Sequence, residues 1–339
     1  MIYKNFFSDK TYIIAEIGGN FRDFNEAKKL IDYAKQSGVD AVKIQTFKAE
    51  TTASKNAFFD MENTGKVSQY EIFKKYEVDF DLHKQIAQYS KKQNLEFFST
   101  PSHESDVDML EKLNVNIHKI GSDDAANLPF LKYVAKTNKI IILSTGMCTL
   151  DEVREAVETI KSQNNNKIAL LHCTSCYPTH PKDANINVVK TMINSFPEIP
   201  IGYSDHTLDA NASCLAVAFG ANIIEKHFTF DKKADGPDHM LSSDLVEMTE
   251  LVKRIRIIEK LKGSEEKKPA NGEKVNLINN RKSIIINSAL TKGSILKKNH
   301  LSIKRPGSGI YPKYLDQVIG KKLLKNVEED HVLNWNDIK

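Results

Sequence analysis

Residues 201–228 read IGYSDHTLDANASCLAVAFGANIIEKHF. The stretch opens on a short apolar run, turns through polar residues, and enters 209–219, where apolar residues recur at the i, i+3, i+4 spacing of an amphipathic helix. It closes on a second apolar run, 222–228, rich in β-branched residues. Strand, helix and strand within so short a span is the sequence form of a parallel βαβ unit.

Outward from this unit the same alternation repeats. Apolar runs at 12–18, 41–47, 96–100, 117–121, 140–145 and 168–173 precede 201–204 and 222–228, which makes eight. Helical spacing covers 25–37, 81–93, 105–113, 128–137, 150–162 and 209–219, and 245–261 follows the last strand. Eight strands alternating with seven such helical segments, in roughly 260 residues, match a TIM barrel in size and order. A doubly wound open sheet needs fewer strands and usually a glycine-rich first turn, and GGNFRDF at 18–24 is not GxGxxG. The longest connection, 48–80, is expected to be a loop covering the barrel mouth. After 261 the composition changes to KGSEEKKPANGEK. The reading is therefore a barrel domain over 1–262, a linker over 263–280, and a small, mostly β module over 281–339 with turn signals at Lys292-Gly293 and Pro306-Gly307.

The chain's 339 residues carry 48 basic and 44 acidic side chains, and the excess of +4 is not gathered into a basic block. That argues against nucleic acid as partner. No apolar run is long enough to span a bilayer, and the N-terminal residues lack a signal-like apolar core, so no membrane partner and a cytoplasmic location are expected. Cys148, Cys173, Cys176 and Cys214 are too few for a disulfide scaffold. They read as reduced, mostly buried thiols, and the lone CxxC of Cys173 and Cys176 lacks the second pair that a zinc site requires.

In a TIM barrel the reactive groups gather at the C-terminal ends of the strands. All eight ends carry polar residues: Glu16 and Asn20; Lys43 and Gln45; Ser99 and Thr100; Lys119 and Ser122; Ser144 and Thr145; His172, Cys173 and Thr174; Ser204, Asp205 and His206; Glu225, Lys226 and His227. Any one could be a solvated strand end. Eight together are costly to bury without a purpose. Alternation places Lys43 with Gln45, and Glu225 with His227, on one face. His206 and His227 stand at the mouths of consecutive strands, close enough for two imidazoles to share a divalent metal. Lys43 and Lys119, with hydroxyls at Thr100, Ser122 and Ser144, can receive a phosphorylated or carboxylated substrate, although a barrel salt bridge to Glu16 would equally explain a lysine.

Taken together, IIAEIGGN, AVKIQTF, FFSTP, KIGS, ILSTGM, LLHCTSCYPT, GYSDHT, IIEKHFT, GPDHM and, near the C-terminus, KRPGSGI resemble the sialic acid synthase family of phosphoenolpyruvate-dependent nonulosonate synthases. The resemblance covers nearly the whole chain and implies a barrel followed by an antifreeze-like (SAF) module. It also implies a transferase that forms a C–C bond. Phosphoenolpyruvate would condense with an open-chain N-acylated mannosamine-type sugar, giving a nine-carbon 2-keto sugar acid of sialic or legionaminic type plus phosphate. A pseudaminic-type or other altered-substrate synthase, or a non-catalytic sugar- or phosphonate-binding relative, is the alternative. By that mapping Lys43, Thr100, Lys119, Ser122, Ser144, Ser175 and Ser204 hold phosphoenolpyruvate, and Gln45, Tyr177 and Asp238 contact the sugar. His206 and His227 bind the metal, manganese foremost, with magnesium or cobalt possible. Arg305 in KRPGSG resembles an arginine delivered by the other subunit, which implies a domain-swapped homodimer. Asp124, Glu225 and Glu16 are the candidate proton-transfer groups. Three departures from the family pattern fall near the sugar end: Phe21 stands where the family has a histidine, KIGSDD puts Asp123 and Asp124 where it has Gly-Glu, and Ser175 stands where it has an asparagine.

Overall fold

In chain order the strands of the first unit are β1 (Tyr12–Glu16), β2 (Ala41–Thr46), β3 (Phe58–Met61), β4 (Gly65–Ser68), β5 (Glu96–Pro101), β6 (Ile117–Ile120), β7 (Ile140–Ser144), β8 (Ile168–Cys173), β9 (Ile201–Asp205) and β10 (Ile223–His227). All but β3 and β4 close into a parallel barrel, in the order β1-β10-β9-β8-β7-β6-β5-β2. The eight apolar runs of the sequence are these eight strands. The computed structural model describes residues 10–61 and 65–339, which divide between Gly263 and Ser264 into two units.

Both faces of each barrel strand are covered, which is why the strands read as continuous apolar runs. Alternation then sorts the side chains into two layers. Ile13, Ala15, Val42, Ile141, Leu143, Leu170 and Ile224 face outward into one large apolar layer shared with the helices. Tyr12, Ile14, Ala41, Phe98, Ile117, Ile142, Leu171 and Ile223 form a separate cluster inside the barrel. Each fully buried Ile or Leu contributes about 1.5–3 kcal/mol, so these layers are the main source of the barrel's rigidity. The inward position of β9 is Gly202, where a Cβ would come within 2.5 Å of Ile223 O and Leu171 Cδ2. Leu171 fills that space instead.

The apolar plug occupies only the N-terminal part of the barrel. Further along the same strands the buried side chains become Glu16, Lys43, Lys119, Ser144, Cys173, Ser204, Glu225 and His227. The helices that fix the strands begin with strong caps. Asp23 accepts from the backbone of Asn25 and Glu26 at the start of Phe24–Ser37, and Thr149 and Glu152 form a capping box ahead of Leu150–Lys161.

Two segments differ from the sequence reading. Residues 48–80 form the short helices Ala49–Thr52 and Gln69–Tyr76 around the β3–β4 hairpin, rather than a bare loop. Phe73 anchors them, lying 5.0 Å from Phe47 and 5.9 Å from Phe59 between ring centroids. The helix Asn187–Ser195 between β8 and β9 was not anticipated. Its Asn, Val, Thr and Ile content is poor in helix formers, and burial of Val189 and Met192 supplies what propensity does not.

In the second unit the residues before 281 carry a 3₁₀ turn, Asn271–Glu273, and the helix Lys274–Asn279. The module itself pairs β11 (Ser283–Ile286) with β12 (Leu301–Lys304) antiparallel, and adds isolated antiparallel bridges such as Leu290 with Val327 and Leu323 with Ile338. Ile284, Ile286, Leu296, Leu323 and Leu333 give it a core of its own. Arg305 is exposed on this unit.

Candidate active site

The inward residues past the apolar plug form one polar lattice. Lys43 Nζ lies 2.5 Å from Glu16 Oε2, 4.0 Å from Glu225 Oε1, and donates to Thr100 Oγ1 at 2.9 Å. Lys119 Nζ donates to Ser144 Oγ at 2.7 Å and stands 3.8 Å from Glu225 Oε1. Ser204 Oγ donates to the same Glu225 oxygen at 3.1 Å, and Gln45 Nε2 donates to Glu16 Oε1 at 3.2 Å. Two buried carboxylates on the neighbouring strands β1 and β10 thus meet two buried ammonium groups on β2 and β6, with contacts running from Glu16 through Lys43 and Glu225 to Lys119. The salt bridge from Lys43 to Glu16, left open by the sequence, is present, and it belongs to the same lattice as the hydroxyls rather than replacing them.

Beside Lys119, three loops converge on Gly146. Its N–H donates to Ser122 Oγ at 2.9 Å. A Cβ at 146 would collide with Ser175 Oγ and stand 2.8 Å from Ser122 Oγ. Two hydroxyls and an N–H therefore meet where a side chain would push the hydroxyls aside, which makes a small polar cradle beside an ammonium group, suited to phosphate oxygens.

The histidines lie across the mouth. Their ring centroids are 5.3 Å apart, and Tyr177 stacks over His206 at 4.2 Å while meeting His227 edge-on at 6.0 Å. His206 Nδ1 donates to Thr174 O at 2.9 Å, with Cys173 Sγ 3.8 Å away, which leaves Nε2 with its lone pair. His227 Nδ1 is buried without a hydrogen-bond partner, although Asp238 Oδ2 lies 3.4 Å from it. Glu225 Oε2 and Asn20 Oδ1 are likewise buried and unbonded. Among the described residues no group of three or more His, Cys, Asp or Glu side chains stands ready to hold a metal ion. The protein's share of a metal site here is two imidazoles, so the remaining positions would fall to water and substrate, as in an open catalytic site.

Burial separates the titrations. It pushes Glu16 up against the pull of Lys43, whereas Lys119 and Lys43 overcome burial at Glu225 and hold it below the usual carboxylate range. Burial also depresses Lys119. At Lys43 burial is outweighed by Glu16 and Glu225, which raise it. Burial and the neighbouring His206 keep His227 well below an ordinary histidine, hence neutral. At His206 burial is outweighed by Cys173 and the Thr174 carbonyl, which raise it, and the neutral ring is the form that offers Nε2. Burial lifts Asp238 to about 7, with Glu16 adding to it.

The structure brings together Glu16, Lys43, Gln45, Thr100, Lys119, Ser144, Ser204 and Glu225 in one network, and His206, His227, Tyr177 and Asp238 in another. Ser122 and Ser175 meet at Gly146. Asp124 stands apart from both: its carboxylate accepts from Asn127 Nδ2 at 2.8 Å at the start of the next helix, and burial raises it to about 6. Phe21 is buried in the outer apolar layer. The reading of mostly buried cysteines holds for Cys173, but Cys176 is exposed and Cys148 and Cys214 are half-buried; all four are free. Sequence reasoning missed Gly18, whose N–H donates to Glu16 Oε1 at 2.9 Å, and Gly146. Both act through a missing Cβ, and their only signal was a glycine two residues past a strand end.

Comparison with known proteins gives the family and the fold. A model described as the NeuB family matches residues 30–267, and one described as the SAF domain matches 281–339. The chain is 41% identical over 337 residues to N,N'-diacetyllegionaminic acid synthase of Legionella pneumophila, spanning 97% of this chain and 94% of that one. It is 34% identical over 329 residues to N-acetylneuraminate-9-phosphate synthase of Homo sapiens, spanning 95% and 91%. A crystal structure of N-acetylneuraminic acid synthetase from Leptospira borgpetersenii in complex with citrate matches with a TM-score of 0.73 at 33% identity, covering 79% of this chain and 90% of that chain. No helix among the described residues is long and apolar enough to cross a membrane.

Proposed function

The chain belongs to the NeuB family of sialic acid synthases, and from that premise we propose that it condenses phosphoenolpyruvate with an open-chain N-acylated amino sugar to give a nine-carbon 2-keto sugar acid and phosphate. The observation that carries the reading is the pairing, inside one barrel mouth, of a lysine and hydroxyl side with a histidine side. Lys119, Lys43 and the cradle of Ser122, Gly146 and Ser175 suit the phosphate and carboxylate of phosphoenolpyruvate.

In the reaction the methylene carbon of phosphoenolpyruvate bonds to the aldehyde carbon, whose oxygen gains a proton. Water adds to the former enol carbon and loses a proton; the new hydroxyl then gives up its remaining proton to the departing phosphate as the C–O bond to phosphate breaks and the 2-keto carbonyl forms. Glu16, kept toward its neutral form by burial, can give a proton, and Glu225, kept ionised by the two lysines, can take one. Tyr177 and Asp238, beside the histidines, and Gln45, bonded to Glu16, would contact the sugar. His206 and His227 would hold a divalent cation, manganese by preference, which would supply a Lewis acid at the aldehyde oxygen. His227's neutral, unbonded Nδ1 and His206's free Nε2 fit that role.

We read the sugar as of legionaminic type, since identity to the Legionella enzyme, 41%, exceeds that to the human one, 34%. A homodimer in which the partner presents Arg305 to this mouth, and a cytoplasmic location, belong to the same proposal. Phosphoenolpyruvate, manganese and a panel of N-acylated mannosamine-type sugars, assayed by phosphate release and product mass, test it. A nine-carbon keto acid from one panel member is the expected result; silence across the whole panel overturns it.

A further inference from the structure

We propose that the buried Asp205–Lys226 pair, on the outer face of the barrel, is a positioning device that fixes the mutual geometry of His206 and His227. The inference rests on the reading that these histidines act together.

Strands β9 and β10 pair as far as Lys226 with Asp205, and that rung is their last. His206 lies one residue beyond it. The inward faces of the preceding rung carry Ser204 and Glu225, so alternation turns Asp205 and Lys226 outward and His206 and His227 inward again. Past the rung, side chains take over from the backbone ladder. Lys226 Nζ lies 3.1 Å from Asp205 Oδ2 and reaches forward to donate to Thr207 O at 2.6 Å. Asp205 Oδ1 accepts from Thr207 N at 2.8 Å and Thr207 Oγ1 at 2.7 Å, and Oδ2 accepts from Ser213 Oγ at 2.5 Å on the helix behind. Residues 205 and 207, on either side of His206, are thus tied to the residue before His227. The exposures of Asp205 and Lys226 are 1% and 2%.

Stability alone does not account for the pair. Two ions so deeply buried lose their hydration, and apolar residues of similar volume serve folding as well or better. What apolar residues cannot do is reach a named carbonyl beyond the end of the ladder. The lysine side is backed differently: Thr46 Oγ1 contacts Ser99 Oγ at 2.6 Å and His83 Nε2 at 2.8 Å, an uncharged network.

The test compares the full-length protein, Asp205→Asn/Lys226→Met, and Thr46→Val. The double variant avoids a stranded charge and keeps an acceptor for Thr207, so it removes only the tie between strands. Three measurements are made: thermal unfolding, long-range ¹H–¹⁵N spectra of the histidine rings in metal-free protein, and steady-state phosphate release. The double variant should unfold near the parent. It should shift the His206 and His227 ring signals and lower kcat by about 10- to 100-fold, the usual cost of losing support behind a ligand, with KM for phosphoenolpyruvate unchanged. Thr46→Val should leave the two ring signals in place. Unchanged ring signals in the double variant overturn the inference, as do ring shifts of the same size in Thr46→Val. If the parent itself releases no phosphate, the functional reading fails, and the ring signals alone decide this one.

Discussion

The two sides of the barrel mouth solve the problem of buried polarity in opposite ways. On the lysine side Lys43 and Lys119 are met by carboxylates and hydroxyls within the protein. On the histidine side His227 Nδ1 and the nearby Asn20 Oδ1 are buried without hydrogen bonds. Unsatisfied buried polar atoms cost about 1–3 kcal/mol each, so a fold retains them where a ligand will complete them. The lysine side is therefore preorganised before any substrate arrives, and the histidine side is finished by what it binds.

The largest effect should come from breaking the preorganised side. Lys43→Met leaves Glu16 and Glu225 buried with Lys119 as their remaining cation, 3.8 Å from Glu225. Removing one partner of a buried pair costs about 3–5 kcal/mol. Thermal unfolding should show that loss, and calorimetric binding of phosphoenolpyruvate should vanish with it. Parental stability and parental binding in this variant would mean that the lattice is not what organises the site.

His206→Ala should sharpen the contrast from the other side. Binding of phosphoenolpyruvate should stay near the parental value, because its contacts lie on the lysine side. Phosphate release should fall by about 10²-fold or more, the scale of losing one contact to developing charge. Equal loss of binding in both variants would erase the distinction between the two sides.

How much of this was legible in the sequence follows from what each residue needs. The barrel strands were legible because burial on both faces leaves an uninterrupted apolar run, as in IIILS at β7. The helix Asn187–Ser195 was not, because its stability comes from two buried side chains rather than from its composition. Segment 48–80 was not, because the exposed and half-buried side chains described in its hairpin leave no period to read. Within the site, clustering at strand ends found the lysines and histidines. Which of the neighbours Ser204, Asp205 and His206 faces inward needed the register of β9 against β10. Gly146 works by lacking an atom, and a missing atom leaves no chemical signature.

Gly146→Ala tests that last point with a smaller effect. The new methyl must displace Ser175 Oγ and press on Ser122 Oγ and Cβ, which would stand 2.8 and 3.1 Å away. Hydroxyls can rotate, so the strain belongs at the low end of overpacking, about 1 kcal/mol. The cradle loses its shape, and KM for phosphoenolpyruvate should rise by about tenfold, equivalent to about 1.4 kcal/mol, while kcat changes little. A fall in kcat at constant KM would place the cradle on the reacting carbon rather than on the phosphate.

The smallest effect separates the lattice carboxylates from Asp124. Its folded pKa of about 6 lies above the ordinary 3.8, chiefly through burial, so the folded state holds the proton more tightly than the unfolded chain. Its contribution is complete below the unfolded value and is lost as pH rises through the folded one. The unfolding midpoint of the parent, relative to Asp124→Asn, should therefore decline between 3.8 and about 6 and run parallel above that. Because Asp124 is tied to Asn127 and no bond joins it to Lys43, Lys119 or either histidine, its removal should leave the pH profile of kcat in place. Disappearance of a limb near pH 6 in Asp124→Asn would move proton transfer from Glu16 and Glu225 to Asp124. The mouth would then have a third working region at the end of β6.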